Sequence, residues 1–299
     1  MSTPPVLVIV GPTASGKTAL GIELARRLGG EVVNADAMQL YRGMDIGTAK
    51  ATVEERRGVP HHLLDVLDPA EEASVAEFQQ LARTAVDDVR SRGRAAIVVG
   101  GSGLYVRALL DDLTFPGTDP AVRQRLEAEL AQLGAAALHA RLAQVDPAAA
   151  AALLPTNGRR IVRALEVVEI TGEPFTATLP PYGEPRWGAV QLGLDPPTDD
   201  LDARIAARVD RMWDDGIVVE AAALAVAGGG LSRTAARALG YAQALAQIAG
   251  TMSEEEARAE TATATRRLAR RQMSWFRRDP RVRWLAHPAT VEAALVAAG

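Results

Sequence analysis

The sequence predicts an α/β domain built on a parallel sheet flanked by helices, with a helical insertion partway along the chain. Three observations carry this expectation. Short β-branched apolar runs alternate with amphipathic stretches from Val6 to Val99, the rhythm of strand–helix–strand crossovers. That rhythm stops near Phe115-Pro-Gly-Thr-Asp-Pro120 and resumes at Ala189–Leu194. A glycine-rich turn joins the first strand to the first helix, as in sheets that bind ligands at their carboxyl edge.

The elements follow in order. Val6–Val10 (VLVIV) is a continuous apolar run ending at Gly11, the pattern of a strand buried on both faces. Thr18–Leu28 has helical spacing through Leu20, Ile22, Leu24, Ala25 and Leu28, and Gly29-Gly30 stop it. Glu31–Ala35 reads as a second strand. Ser74-Val-Ala-Glu77 is a capping-box pattern opening a helix towards Arg90. Ala95–Val99 is a third strand. Asp119-Pro120, Asp146-Pro147 and Thr156-Asn157 each read as a helix start, and no strand pattern appears before Gly172. Thr178–Arg186 is a Pro/Gly-rich connection. After the Ala189–Leu194 strand, Asp199/Asp200 open a helix that stops at Gly216. Ser253-Glu-Glu-Glu256 caps a long helix reaching about Arg278, along which Ala257, Thr261, Ala264, Leu268, Gln272 and Trp275 recur at three-four spacing. Val282–Leu285 is a final strand. The expected organisation is residues 1–115 and 187–299 as the α/β core and 116–186 as the helical insertion.

Composition narrows the chemistry. At 299 residues the chain has room for two domains. The absence of Cys excludes disulfides, thiolate metal sites and thiol nucleophiles. None of the four His has ligand-like spacing, and adjacent His61 and His62 are expected to be loop histidines whose rings diverge. No apolar run approaches the ~18 residues of a membrane span, and Met1–Pro5 lacks signal features, so a cytoplasmic protein is expected. The net charge of −4 speaks against a general nucleic-acid binder. That average hides a cluster of eight Arg against one Asp between Thr265 and Arg283.

Gly11-Pro12-Thr13-Ala14-Ser15-Gly16-Lys17-Thr18 matches G-x-x-x-x-G-K-[ST] between a predicted strand and a predicted helix. Small residues let backbone N–H groups face a di- or triphosphate, the helix N-terminus adds a favourable field, Lys17 brings a point charge and the Thr18 hydroxyl can hold Mg²⁺. The fold expected is therefore P-loop NTPase-like. Asn34-Ala-Asp36-Ala-Met-Gln39 follows the second strand at the same edge, where Asp36 is a candidate base or metal partner. A helix cap is the ordinary role of Asp there. Gly100-Gly-Ser102-Gly follows the third strand and offers either a hydroxyl to a substrate or only a tight turn. Arg204/Arg208 share a helix face and suit a diphosphate clamp or a solvated surface. Arg159, Arg160 and Arg163, and the C-terminal Arg cluster with Trp275 and Phe276, suit a phosphate backbone.

Together these stretches resemble the tRNA dimethylallyltransferase family over essentially the whole chain. The matching segments are GPTASGKT (11–18), Asp36 to Tyr41 with RGMDIGTAK (42–50), PHHLLD (60–65) and GGSGLY (100–105). RRIVRALEV (159–167), RIAARVDRMWDDGIVVE (204–220), ALGY (238–241) and TRRLARRQMSWFR (265–277) complete the set. The resemblance implies transfer of a dimethylallyl group from dimethylallyl diphosphate to N6 of adenosine 37 in tRNA, assisted by Mg²⁺, with the adenine flipped out of its stack. It implies Asp36 as general base, Lys17 and Arg208 on the diphosphate, and Ser102 near the reacting groups. It implies tRNA contacts from Asp36, Ala37, Met38, Gln39, Ser102, Arg123, and Arg159, Arg160, Ile161, Val162 and Arg163. A further set is Ala238, Leu239, Gly240, Tyr241, Ala242 and Gln243. The insertion would grip the anticodon stem-loop, and a monomer is expected.

Two positions depart from the family pattern. Ala37 stands where Ser is usual, and Ser102 where Thr is usual; Ser keeps the hydroxyl but lacks the methyl that restricts its rotamer. The rival readings are a small-molecule P-loop kinase, an adenylate isopentenyltransferase acting on free nucleotide, and a non-catalytic RNA-binding module. The kinase would not need two Arg clusters outside the nucleotide site, the free-nucleotide transferase has no use for a stem-gripping insertion, and binding alone would not need Lys17, Thr18, Asp36 and Arg208 together.

Overall fold

The computed structural model describes residues 4–175 and 179–299. Met1–Thr3, from the segment read for a signal, and Thr178, from the Pro/Gly-rich connection, lie outside the described residues. The chain divides into two compact units, Met1–Asp111 with Tyr182–Gly299, and Asp112–Pro181.

The larger unit begins with β1 (Val6–Val10), α1 (Lys17–Leu28), β2 (Glu31–Asn34), β3 (His61–His62), α2 (Val75–Ser91), β4 (Ala96–Val99) and α3 (Gly103–Leu110). The smaller unit holds α4 (Pro120–Leu133), α5 (Ala135–Val145), α6 (Pro147–Ala152) and α7 (Gly158–Thr171). The larger unit resumes with β5 (Val190–Leu194), α8 (Thr198–Asp214), α9 (Ile217–Val226), α10 (Arg233–Ala236) and α11 (Tyr241–Ile248). It ends with α12 (Glu254–Phe276), β6 (Val282–Leu285) and α13 (Val291–Ala298).

Six parallel strands form one sheet in the order β3-β2-β4-β1-β5-β6. Pleating sends alternate side chains of β1 to opposite faces. Val6, Val8 and Val10 join one apolar cluster with Phe78, Val86 and Leu109 from α2 and α3. Leu7 and Ile9 join another with Leu20 and Leu24 of α1 and Ala294 of α13. Helices therefore cover both faces, which is why the strand reads as an unbroken apolar run. Gly11 ends β1 at φ 142, and a Cβ there would lie 2.7 Å from the Leu194 carbonyl oxygen. Gly29, at φ 60, closes α1 by donating its N–H to the Ala25 carbonyl.

One strand was not anticipated. His61 and His62 form β3 rather than a loop. His62 Nε2 pairs with Glu31 at 2.6 Å, while Arg92 hydrogen-bonds the same carboxylate and holds its pKa down to about 2. These contacts secure a sheet edge.

The helix starts follow their caps. Asp119 accepts N–H groups from Ala121 and Val122, Asp146 from Ala149, Asn157 from Arg160, and Ser253 forms a reciprocal box with Glu256. Each such cap contributes about 1 kcal/mol. The smaller unit has its own core of Leu126, Leu138, Leu142, Ile161 and Leu165. At its centre Glu166 is fully buried. Its carboxylate accepts Arg123 Nε at 3.1 Å, Arg163 Nη1 at 2.8 Å and the Asp119 N–H at 3.2 Å. Burial alone would raise this carboxyl's pKa; the two guanidiniums more than offset that and hold it below the usual range.

Candidate active site

The carboxyl ends of β1, β2 and β4 open onto a cavity of about 670 Å³ in the larger unit. Residues Thr13–Ala19 form one wall. Asp36 and Gln39 stand on another, with the segment Asp45–Thr52. Gly100, Gly101, Arg208, Arg211 and Gln272 complete the lining used below.

Gly16 caps α1 at φ 93, a left-handed conformation that suits glycine, and so aims the helix N-terminus at the cavity. Lys17 Nζ donates to the Pro12 carbonyl at 2.6 Å. Burial lowers its pKa from 10.5 to about 7; Asp36 pulls it upward and Arg208 pushes it further down. Arg208 Nη1 donates to Thr13 Oγ1 at 2.9 Å. Its own pKa is lowered, by burial first and by Arg211 second. Two desolvated cations and the Asp36 carboxylate thus share a pocket, lined further by Glu23, Asp45, Glu55 and Asp215, with a row of loop N–H groups. That arrangement suits a polyanion and, beside it, a proton acceptor.

Asp36 does cap a helix, since its Oδ1 accepts the Met38 N–H at 3.0 Å at the head of the 3-10 turn Ala37–Leu40. It also lines the cavity, so the two readings of this residue are compatible. Asn34 fixes it from below: Asn34 Oδ1 accepts the Asp36 N–H at 2.9 Å and Nδ2 donates to the Asp36 carbonyl at 3.0 Å. Gln39 Nε2 donates to the Thr48 carbonyl at 3.1 Å. Ser102 is not among the lining residues; its Oγ accepts the Ala37 N–H at 3.4 Å. Gly100 needs its hydrogen, because a Cβ would meet the Ala35 carbonyl at 2.3 Å.

A family model described as IPP transferase matches residues 39–279. The chain belongs to the IPP transferase family. It is 65% identical over 280 residues to the tRNA dimethylallyltransferase of Salinispora arenicola, covering 94% of this chain and 82% of that one. The solved tRNA isopentenylpyrophosphate transferase of Bacillus halodurans is 43% identical, with a TM-score of 0.67 over 94% of this chain and 89% of the other. A eukaryotic dimethylallyltransferase solved acting on tRNA is 26% identical, with a TM-score of 0.76 over 95% and 74% of the two chains. The P-loop NTPase-like fold expected from the motif is the fold of these IPP transferases.

Several residues expected to touch RNA are committed elsewhere in this IPP transferase. Ile161 and Val162 are buried, at 0% and 2% exposure, so their side chains present nothing at a surface. Arg123 and Arg163 hold Glu166, and Arg163 also donates to the Gly117 and Pro116 carbonyls. Arg159 and Arg160 are exposed on α7. Ala238, Tyr241 and Gln243 are buried; Gly240 is buried as well, and Gln243 Oε1 accepts its N–H at 3.0 Å. The Tyr241 hydroxyl donates to Glu220 and accepts the Gly47 N–H at 3.2 Å. Burial, and then Glu220, raise its pKa. Leu239 and Ala242 are half-buried. Tyr241 therefore braces the Asp45–Thr52 wall at Gly47.

Sequence reasoning passed over that brace. Glu220 accepts the N–H groups of Asp45 at 3.2 Å and Ile46 at 3.1 Å, and Lys50 bridges Asp45 and Asp65. Lys50 is one of only two lysines in an arginine-rich chain, a signal that could have singled it out.

Proposed function

We propose that this chain transfers the dimethylallyl group of dimethylallyl diphosphate to N6 of adenosine 37 in tRNA. The observation that carries the reading is the convergence of Lys17, Arg208 and Asp36 on one cavity beside the phosphate-binding loop. In the reaction the N6–carbon bond forms as the carbon–oxygen bond to diphosphate breaks. Lys17, Arg208 and the loop N–H groups stabilise the charge growing on the departing diphosphate. Asp36 takes the proton that N6 releases, its backbone fixed by Asn34 and its carboxylate oriented by the Met38 N–H.

The cavity's oxygen donors suit Mg²⁺, a hard cation that binds one or two protein oxygens and the substrate's phosphates. Thr18 lines it and would hold the ion, which would neutralise part of the diphosphate charge. The exposed Arg159 and Arg160 of the helical unit, and exposed arginines on α12, are the cations available to the anticodon stem-loop. No helix among the described residues is long and apolar enough to cross a membrane, in keeping with action on tRNA in the cytoplasm. The relatives' names favour this reading over a kinase or a free-nucleotide transferase.

The test is a mass measurement on RNA digested to nucleosides after incubation with protein, Mg²⁺ and dimethylallyl diphosphate. The expected result is one prenyl unit gained on adenosine, and only with the donor present. A gain on free AMP and none on tRNA would overturn the assignment of substrate.

A further inference from the structure

Gln272 lies on α12, buried at 9% exposure, and its amide touches two of the loops that build the cavity. Its Oε1 accepts the Thr13 N–H at 2.8 Å. Its Nε2 donates to the Gly101 carbonyl at 3.0 Å. Gly101 permits this approach, since a Cβ there would lie 2.4 Å from Nε2. Only a carboxamide offers an acceptor and a donor side by side, and the two bonds fix which end is which. Reversing it would set N–H against N–H and oxygen against oxygen.

The consequence falls on the phosphate-binding loop. Thr13 is held twice, by Gln272 at its backbone N–H and by Arg208 at its hydroxyl. The next residue, Ala14, sits at φ 62, a left-handed conformation that a residue with a Cβ adopts only when its surroundings impose it. The Thr13 N–H is also withdrawn from the set that can face a phosphate, which leaves that task to the N–H groups beyond it.

We infer that Gln272 is a positioning residue for the leaving diphosphate: it locks Thr13 to the Gly100-Gly101 turn and so holds the loop, with Ala14 in its left-handed conformation, ready for the anion. The assignment rests on the diphosphate-transfer reading. It makes α12 part of the donor site through its hold on the loop.

Gln272→Met keeps the side chain's length and removes both hydrogen bonds. Affinity for inorganic diphosphate is measured by calorimetry on the full chain, beside the KM for dimethylallyl diphosphate, the tRNA affinity and the Tm. The diphosphate Kd and the donor KM are expected to rise about tenfold, the factor carried by one hydrogen bond, with tRNA affinity unmoved. A merely structural role would lower Tm and leave the diphosphate Kd of the folded protein unchanged, and that result would overturn the inference. Should Gln272→Met fail to fold, Gly101→Ala displaces Nε2 from the other side, and the same rise in diphosphate Kd is expected. Diphosphate binding is read without tRNA. Wild-type protein that binds diphosphate yet prenylates nothing therefore overturns the transfer reading, while a weaker Kd in Gln272→Met still supports the positioning role. An unchanged Kd in both folded variants overturns that role.

Discussion

Arginine does different work in the two units of this protein. In the cavity of the larger unit, Arg208 hydrogen-bonds a hydroxyl and Lys17 a carbonyl, and neither is paired to a carboxylate within hydrogen-bonding reach. In the smaller unit, Arg123 and Arg163 close on the buried Glu166. The first pair keeps its charge available to an incoming anion and is destabilised by desolvation meanwhile. The second pair is neutralised in place and holds helices together. Residue type alone does not separate the two cases; the partner does.

The widest break in this comparison comes from removing the Asp36 carboxylate, whose charge acts on both Lys17 and Arg208. Asp36→Ala is expected to cut turnover by about 10²-fold or more, with tRNA affinity little changed. Near-normal turnover in that variant would remove the base assignment and leave Asp36 as a cap alone.

The same substitution made in both regions sharpens the contrast. Arg208→Ala is expected to lower turnover by about 10²-fold while Tm stays level or rises, because a desolvated cation is lost. Arg163→Ala is expected to destabilise the smaller unit by about 2 kcal/mol, because Glu166 keeps only Arg123 in a buried setting. Turnover at saturating tRNA should then change less than stability. Thermal unfolding and single-turnover rates on both variants decide it, and matched behaviour of the two would erase the distinction.

The fold was legible where local chemistry dictates it. The run VLVIV, the phosphate-binding glycines and the caps at Asp119, Asp146, Asn157 and Ser253 act within a few residues of themselves. β3 was not legible, because two histidines make no period and the strand exists through its pairing with Val32 and Val33 of β2. In the site, the loop, Asp36 and Arg208 could be named from motifs. Their supports could not: Gln272 meets Thr13 across 259 positions of chain, and Glu220 meets Asp45 across 175. The bond from the Tyr241 hydroxyl to Glu220 was not legible for the same reason, since a motif does not say which partner a hydroxyl meets.

Lys17 gives the cavity a pH signature that Glu166 cannot share. Its folded pKa of about 7 lies below the ordinary 10.5, so between these values the unfolded chain binds more protons. Stability of the free protein is therefore expected to rise with pH across that window. Diphosphate binding needs the ammonium and should run the other way, weakening up to about tenfold per pH unit above pH 7. Lys17→Arg does not titrate there and supplies the control, since the anion's own titration is common to both proteins. Affinity ratios that stay constant from pH 7 to 9 would mean that Lys17 is fully charged in the free protein.

The smallest effect concerns a third arginine setting, exposed on a helix surface. On α12, Arg266 lies 3.6 Å from Asp202 and Arg267 3.9 Å from Glu260, whereas Arg270 and Arg271 are exposed and have no ion pair among the described residues. Surface pairs at such distances contribute about 0–1 kcal/mol and screen easily, so the bare pair is the better candidate for phosphates of RNA. Each phosphate neutralised releases condensed counterions, so binding should depend on salt with a slope set by the number of contacts. Arg270→Ala/Arg271→Ala is expected to weaken tRNA binding a few-fold and to flatten that slope by about one to two units, with diphosphate affinity unchanged. An unaltered slope would place these arginines with the solvated surface. A loss of diphosphate affinity would instead mean that the outer face of α12 reaches the loop through Gln272, joining the two roles that the cavity and the helix surface otherwise keep apart.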